Sequence, residues 1–124
     1  MLFDLKNQTK VKLPKVPWSK VATAVLGNKY ELSLVFALPK TSQALNKKYR
    51  RKSYVPNVLA FPLGPKNGEI FITPAVVERS DFLYLFIHGL LHLKGLAHGS
   101  TMERKERSLL KRFSARHEKN NRRS

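Results

Sequence analysis

The sequence predicts an α+β fold, a small mixed sheet of about four strands packed with about four to five helices. Three observations predict it. Stretches of helical period alternate with stretches of strand period along one chain of 124 residues, with no internal repeat. Two strand-like runs flank turn residues at Leu63–Gly68, which requires an antiparallel pair. An apolar helical run, Phe82 to Lys94, follows them and is broken only by histidines and a glycine.

Each element follows from its residues. Met1 to Leu5 alternates weakly and reads as an edge strand. Lys10 to Pro17 holds two prolines and several lysines and reads as a connector. Trp18 to Leu26 places Trp18, Val21, Ala22 and Val25 on one helical stripe, ended by Gly27-Asn28. Tyr30 to Ala37 alternates and then turns apolar, as a buried strand does. Pro39 to Tyr49 is a helix, with Thr41 or Ser42 near its start and Ala44, Leu45 and Tyr49 at helical spacing.

Asn57 to Phe61 is a short strand after Pro56. In Leu63–Gly68 the dipeptide Asn67-Gly68 is the hairpin signal, and Glu69 to Thr73 returns as the partner strand. Pro74 to Arg79 forms a helical turn. Asp81 is the expected N-cap of the helix Phe82–Lys94. Thr101 is the expected cap of a last helix, Met102 to about Arg116. One domain spans residues 1–118, and 119–124 (KNNRRS after Glu118) is a basic frayed tail.

Charge narrows the partners. Lysine and arginine number 24 against 8 acidic residues, a formal net charge of +16. That balance favours a polyanion, most often nucleic acid. No run has the apolar length of a membrane span, and no secretory signal is visible. Cysteine is absent, which removes disulfides and thiolate ligands and fits a cytoplasmic location.

Three of the four histidines lie in the segment His88-Gly-Leu-Leu-His92-Leu-Lys-Gly95-Leu-Ala-His98. On a helix His88 and His92 stand one turn apart on one face. Gly95 can take the left-handed conformation that ends a helix and turns the chain back, bringing His98 to the pair. Three neutral imidazoles with an open fourth position make a catalytic-type Zn²⁺ site, although imidazoles also accept other divalent metals. The spacing is that of the metzincin zinc proteases, which makes this a zincin-like metal helix. Those proteases place a glutamate base directly after the first histidine, and here Gly89 stands there. Peptide hydrolysis is therefore disfavoured.

Two further blocks accompany the histidines. Leu45-Asn46-Lys47-Lys48-Tyr49-Arg50-Arg51-Lys52 precedes Asn57-Val58-Leu59-Ala60-Phe61-Pro62, and Gly68-Glu69-Ile70 follows. Together with the histidine segment, these resemble the YbeY family of rRNA maturation factors, in the family's order. The match covers most of Leu45 to His98. The family's aspartate before the last histidine is Ala97 here, which removes a partner that would orient an imidazole. The stretch between Ile72 and His88 is shorter than in the family.

The resemblance implies a metal-dependent, single-strand-specific endoribonuclease acting in rRNA maturation and ribosome quality control. His88, His92 and His98 would hold one zinc, activating water or polarising the phosphodiester. Arg50 would stabilise phosphate charge, because a guanidinium is always ionised and grips phosphate with paired hydrogen bonds. Lys47, Lys48, Arg51 and Lys52 would track the RNA backbone. Tyr49, Tyr54 and Phe61 are stacking candidates whose ordinary role is packing. Glu69, Glu103 and Glu106 read as surface or capping residues. The implied partners are rRNA and the small ribosomal subunit, with a ribosomal protein or assembly GTPase, and no membrane. The alternative is a non-catalytic ribosome assembly factor that binds RNA and holds a structural metal.

Overall fold

The computed structural model describes the backbone of residues 1–123 and the side chains of residues 1–114. Four strands and four helices form it: β1 (Leu2–Asn7), α1 (Trp18–Leu26), β2 (Glu31–Phe36), α2 (Pro39–Arg50), β3 (Val58–Gly64), β4 (Asn67–Ile72), α3 (Phe82–Leu93) and α4 (Ser100–Arg123). Two single 3₁₀ turns, Pro74–Val76 and Arg79–Asp81, lead from β4 into α3.

The sheet order is β1-β2-β4-β3. β1 pairs with β2 and β2 with β4 in parallel, while β3 runs antiparallel to β4. Parallel neighbours need a crossover, and α1 supplies the one between β1 and β2. The expected α+β architecture with a small mixed sheet is therefore the observed one.

One sheet face carries the core. Alternation puts Leu32, Leu34 and Phe36 of β2 and Ile70 and Ile72 of β4 on that face, all buried. α1 and α3 lie over it. Trp18 of α1 meets Phe36 of the sheet edge-on at 5.6 Å and Phe86 of α3 at 5.3 Å. On the other face Tyr49 of α2 stacks towards Phe61 of β3 at 5.3 Å, and Phe61 towards Phe71 of β4 at 6.0 Å. A buried hydrogen bond from the Thr73 hydroxyl to that of Ser42, 2.6 Å, ties α2 to the end of β4.

Several boundaries differ from expectation. The hairpin turns at Pro65-Lys66, and Asn67-Gly68 already belongs to β4, because proline presets φ for the first turn position. An irregularity between Pro62 and Gly64 absorbs the extra residue. Asp81 occupies the N-cap position of α3 without a side-chain capping bond. α4 begins at Ser100 rather than after Thr101, whose hydroxyl instead accepts a bond from Arg104. α4 also runs on to Arg123, since no proline or glycine follows Gly99 to stop it. The side chains of the polar segment 119–124 lie outside the described residues.

Candidate metal centre

α3 is buried along Phe82, Leu83, Leu85, Phe86, Ile87, Leu90 and Leu91, which press it onto the sheet and against α1 and α4. His88 and His92, one turn apart, share the half-buried strip between this core and solvent. The helix then closes in a Schellman turn. Gly95 has φ +99°, its N–H bonds the carbonyl of His92 at 2.9 Å, and the N–H of Leu96 bonds that of Leu91 at 3.1 Å. Only glycine enters this conformation at little cost. The reversed chain brings His98 back against the helix.

The three imidazoles converge. One ligand nitrogen from each lies within 4.8 Å of the others. The Nε2 atoms of His88 and His92 are 3.0 Å apart, and the ring centroids are separated by 4.5 to 5.2 Å. Tetrahedral zinc with Zn–N bonds of about 2.0–2.1 Å separates its nitrogens by about 3.3 Å. The donor set, three imidazole nitrogens with an approach left open, fits that ion. The His92 imidazole is held below its ordinary pKa, first by burial, then by the charges of His88, His98 and Arg50. It is therefore neutral at physiological pH, the form in which an imidazole can bind a metal.

A carboxylate stands behind the histidines. Oε2 of Glu106 lies 3.3 Å from Nδ1 of His88, and Glu106 is buried at 8% exposure. It is not the surface or capping residue expected from sequence. The overlooked signal is its register: Met102, Glu106 and Phe113 share one face of α4, and all three are buried. An acid on an apolar face needs a partner. Tyr84, one turn before His88, is beside it. Its phenol pKa is raised, first by burial and then by Glu106.

The open side of the cluster is a cleft of 350 Å³ lined by Arg50, Tyr54, Pro56, Asn57, His88, His92 and His98, among others. Arg50 is the last residue of α2. The helix stops there because Arg51 takes a left-handed conformation, φ 57°, and its N–H bonds the carbonyl of Lys47 at 3.2 Å. Among the described residues Arg50 has no carboxylate partner. Lys47, Lys48, Arg51 and Lys52 are all exposed, and none of the four lines the cleft. Tyr54 is exposed at the cleft, whereas Tyr49 and Phe61 pack on each other. A larger hollow, 600 Å³, lies on the outer sheet face along β1, β2 and β4. No histidine lines it.

The fold and this cleft define an α+β protein with a three-histidine cluster and an arginine lining one cleft. A family profile described as Endoribonuclease YbeY matches residues 4–114. The chain is 34% identical over 114 residues to Endoribonuclease YbeY of Thiobacillus denitrificans, covering 76% of this chain and 78% of that one. It is 32% identical over 129 aligned positions to the protein of the same name from Aquifex aeolicus, covering 88% and 85%. The chain belongs to the YbeY endoribonuclease family. The solution structure of TM1509 from Thermotoga maritima superposes with a TM-score of 0.64 over 96% of this chain and 93% of that one, at 20% identity, and shares the fold.

Proposed function

We propose that the protein is a metal-dependent, single-strand-specific endoribonuclease of rRNA maturation and ribosome quality control, with zinc held by His88, His92 and His98. One observation carries the reading: in a chain of this family, three imidazoles converge on one cleft with an arginine that has no acidic partner among the described residues. Bound zinc supplies Lewis acidity towards a phosphoryl oxygen and lowers the pKa of water that it holds.

The chain's own residues bind and orient the substrate. Arg50 offers a forked donor to a phosphate seated over the histidines and offsets the charge that develops on it. Among the described residues no carboxylate lines the cleft. Lys47, Lys48, Arg51 and Lys52 extend the positive field outward from Arg50 and add affinity with little sequence preference. The Tyr54 ring is available for stacking by an unpaired base. The partners in this reading are rRNA in the small ribosomal subunit, in the cytoplasm, together with a ribosomal protein or assembly GTPase. No helix of the described residues is long and apolar enough to cross a membrane.

The test pairs metal analysis of purified protein with cleavage of rRNA precursors by wild type and His92→Ala. The expected result is one zinc per chain and cleavage by wild type alone. Stoichiometric zinc with equal cleavage by both proteins would remove the histidine centre from the chemistry, and stoichiometric zinc with cleavage by neither would favour the assembly-factor reading.

A further inference from the structure

We infer that Glu106, from α4, is the positioning residue that orients His88 and fixes its tautomer. The inference rests on the proposed metal reading. Four observations carry it.

The first is direction. Nε2 of His88 faces Nε2 of His92 at 3.0 Å, while Nδ1 faces Oε2 of Glu106 at 3.3 Å. A carboxylate accepts and cannot donate, so His88 carries its proton on Nδ1 and turns the Nε2 lone pair to the cluster. The second is burial: at 8% exposure Glu106 has lost most of its water, and a buried carboxylate is retained only with a partner.

The third is the choice of partner. Among the described residues, His88–Glu106 is the only salt-bridge contact, in a chain with 24 basic residues. No described lysine or arginine pairs with Glu106; the fold holds it beside the His88 imidazole and the Tyr84 phenol. The fourth is the vacancy elsewhere. Position 97, just before the third histidine, is an exposed alanine that brings no carboxylate to the rings. The support arrives from another helix, set in register by Met102 and Phe113 on the same buried face.

Such a partner removes the imidazole's freedom to rotate or change tautomer. Loss of one costs about 10–100-fold in metal affinity. Glutamine at this position still accepts a hydrogen bond from Nδ1–H but lacks the charge, so Glu106→Gln should retain part of the effect and Glu106→Ala none.

The experiment measures zinc affinity by chelator competition for wild type, Glu106→Gln and Glu106→Ala, alongside melting of each metal-free protein. Long-range ¹H–¹⁵N spectra of the imidazoles read the His88 tautomer. The expected result is a 10–100-fold weakening in Glu106→Ala, a smaller one in Glu106→Gln, and loss of the single Nδ1–H tautomer in the alanine variant. A variant that melts lower but keeps wild-type zinc affinity and tautomer makes Glu106 merely structural and overturns the inference alone. Wild type that takes up no zinc overturns the metal reading, and the inference with it.

Discussion

A β-carbon on Gly89 would stand 3.1 Å from Cδ1 of Ile70 and 3.2 Å from its Cγ2. α3 therefore rests its backbone directly on β4 between the two helical histidines. The position that carries a catalytic glutamate in metzincins is here a packing contact with the sheet. Substitution would force Ile70, which is fully buried, to move. Overpacking of this kind costs about 1–3 kcal/mol, and the helix preference for alanine over glycine returns about 1 kcal/mol. Gly89→Ala should lose roughly 1 kcal/mol in urea denaturation. A gain in stability would show that the contact relaxes freely.

Arg50→Ala should bind zinc like wild type and cleave rRNA precursors about 10²–10³-fold more slowly, the usual effect of deleting a donor aimed at developing charge. Arg50→Lys keeps the charge but not the fork and should recover only part of the rate. Single-turnover kinetics at saturating enzyme separate this from weaker binding. An unchanged rate constant in the alanine variant would remove Arg50 from the chemistry.

Zinc binding should stabilise the protein. At a free concentration of 100 times Kd, it adds about 2.7 kcal/mol, or roughly 5–15 °C in Tm for a domain of this size. Differential scanning calorimetry with zinc and then with a chelator measures the shift. His92→Ala should abolish it, and an equal shift in that variant would place the metal elsewhere.

Acid should destabilise the metal-free protein through His92. Its folded pKa is depressed below the unfolded value of about 6.5. Between the two values the unfolded chain binds more protons, so stability rises with pH across that window. On acidification the loss starts near about pH 6.5 and levels off below the folded value. Melting in chelator at a series of pH values checks this. The His92→Ala variant should show a shallower slope.

RNA binding should weaken steeply with salt. Each phosphate contact on a single strand contributes about 0.7 to the slope of log K against log salt. Removing Lys47 and Lys48 together should lower the slope by about 1.4 without changing which sequence is preferred. Fluorescence anisotropy across a salt series would show it, and an unaltered slope would place the RNA on another surface.

The order of helices and strands was readable because each element carries its own period. Trp18, Val21, Ala22 and Val25 form a stripe that no strand explains, and Leu32, Leu34 and Phe36 alternate as no helix does. The histidine cluster was equally accessible, since His88, His92, Gly95 and His98 are close in sequence and their turn chemistry is local. What escaped depends on distance along the chain. Glu106 joins His88 across 18 residues, and the packing of α4 sets its direction. The hairpin was misplaced for a local reason, because the rigid φ of Pro65 outcompeted the usual preference of Asn67-Gly68.

α4 is docked by Met102 and Phe113, and it is also the element that brings Glu106 to His88. If the histidines hold a metal as proposed, docking of this helix and loading of the histidines are thermodynamically linked. A ligand that prefers the docked form must favour docking by the same free energy with which docking favours the ligand. Amide hydrogen exchange along α4 then becomes a gauge of metal occupancy read at a distance from the metal. The most basic helix of the protein would be held in place by the state of its smallest ligand.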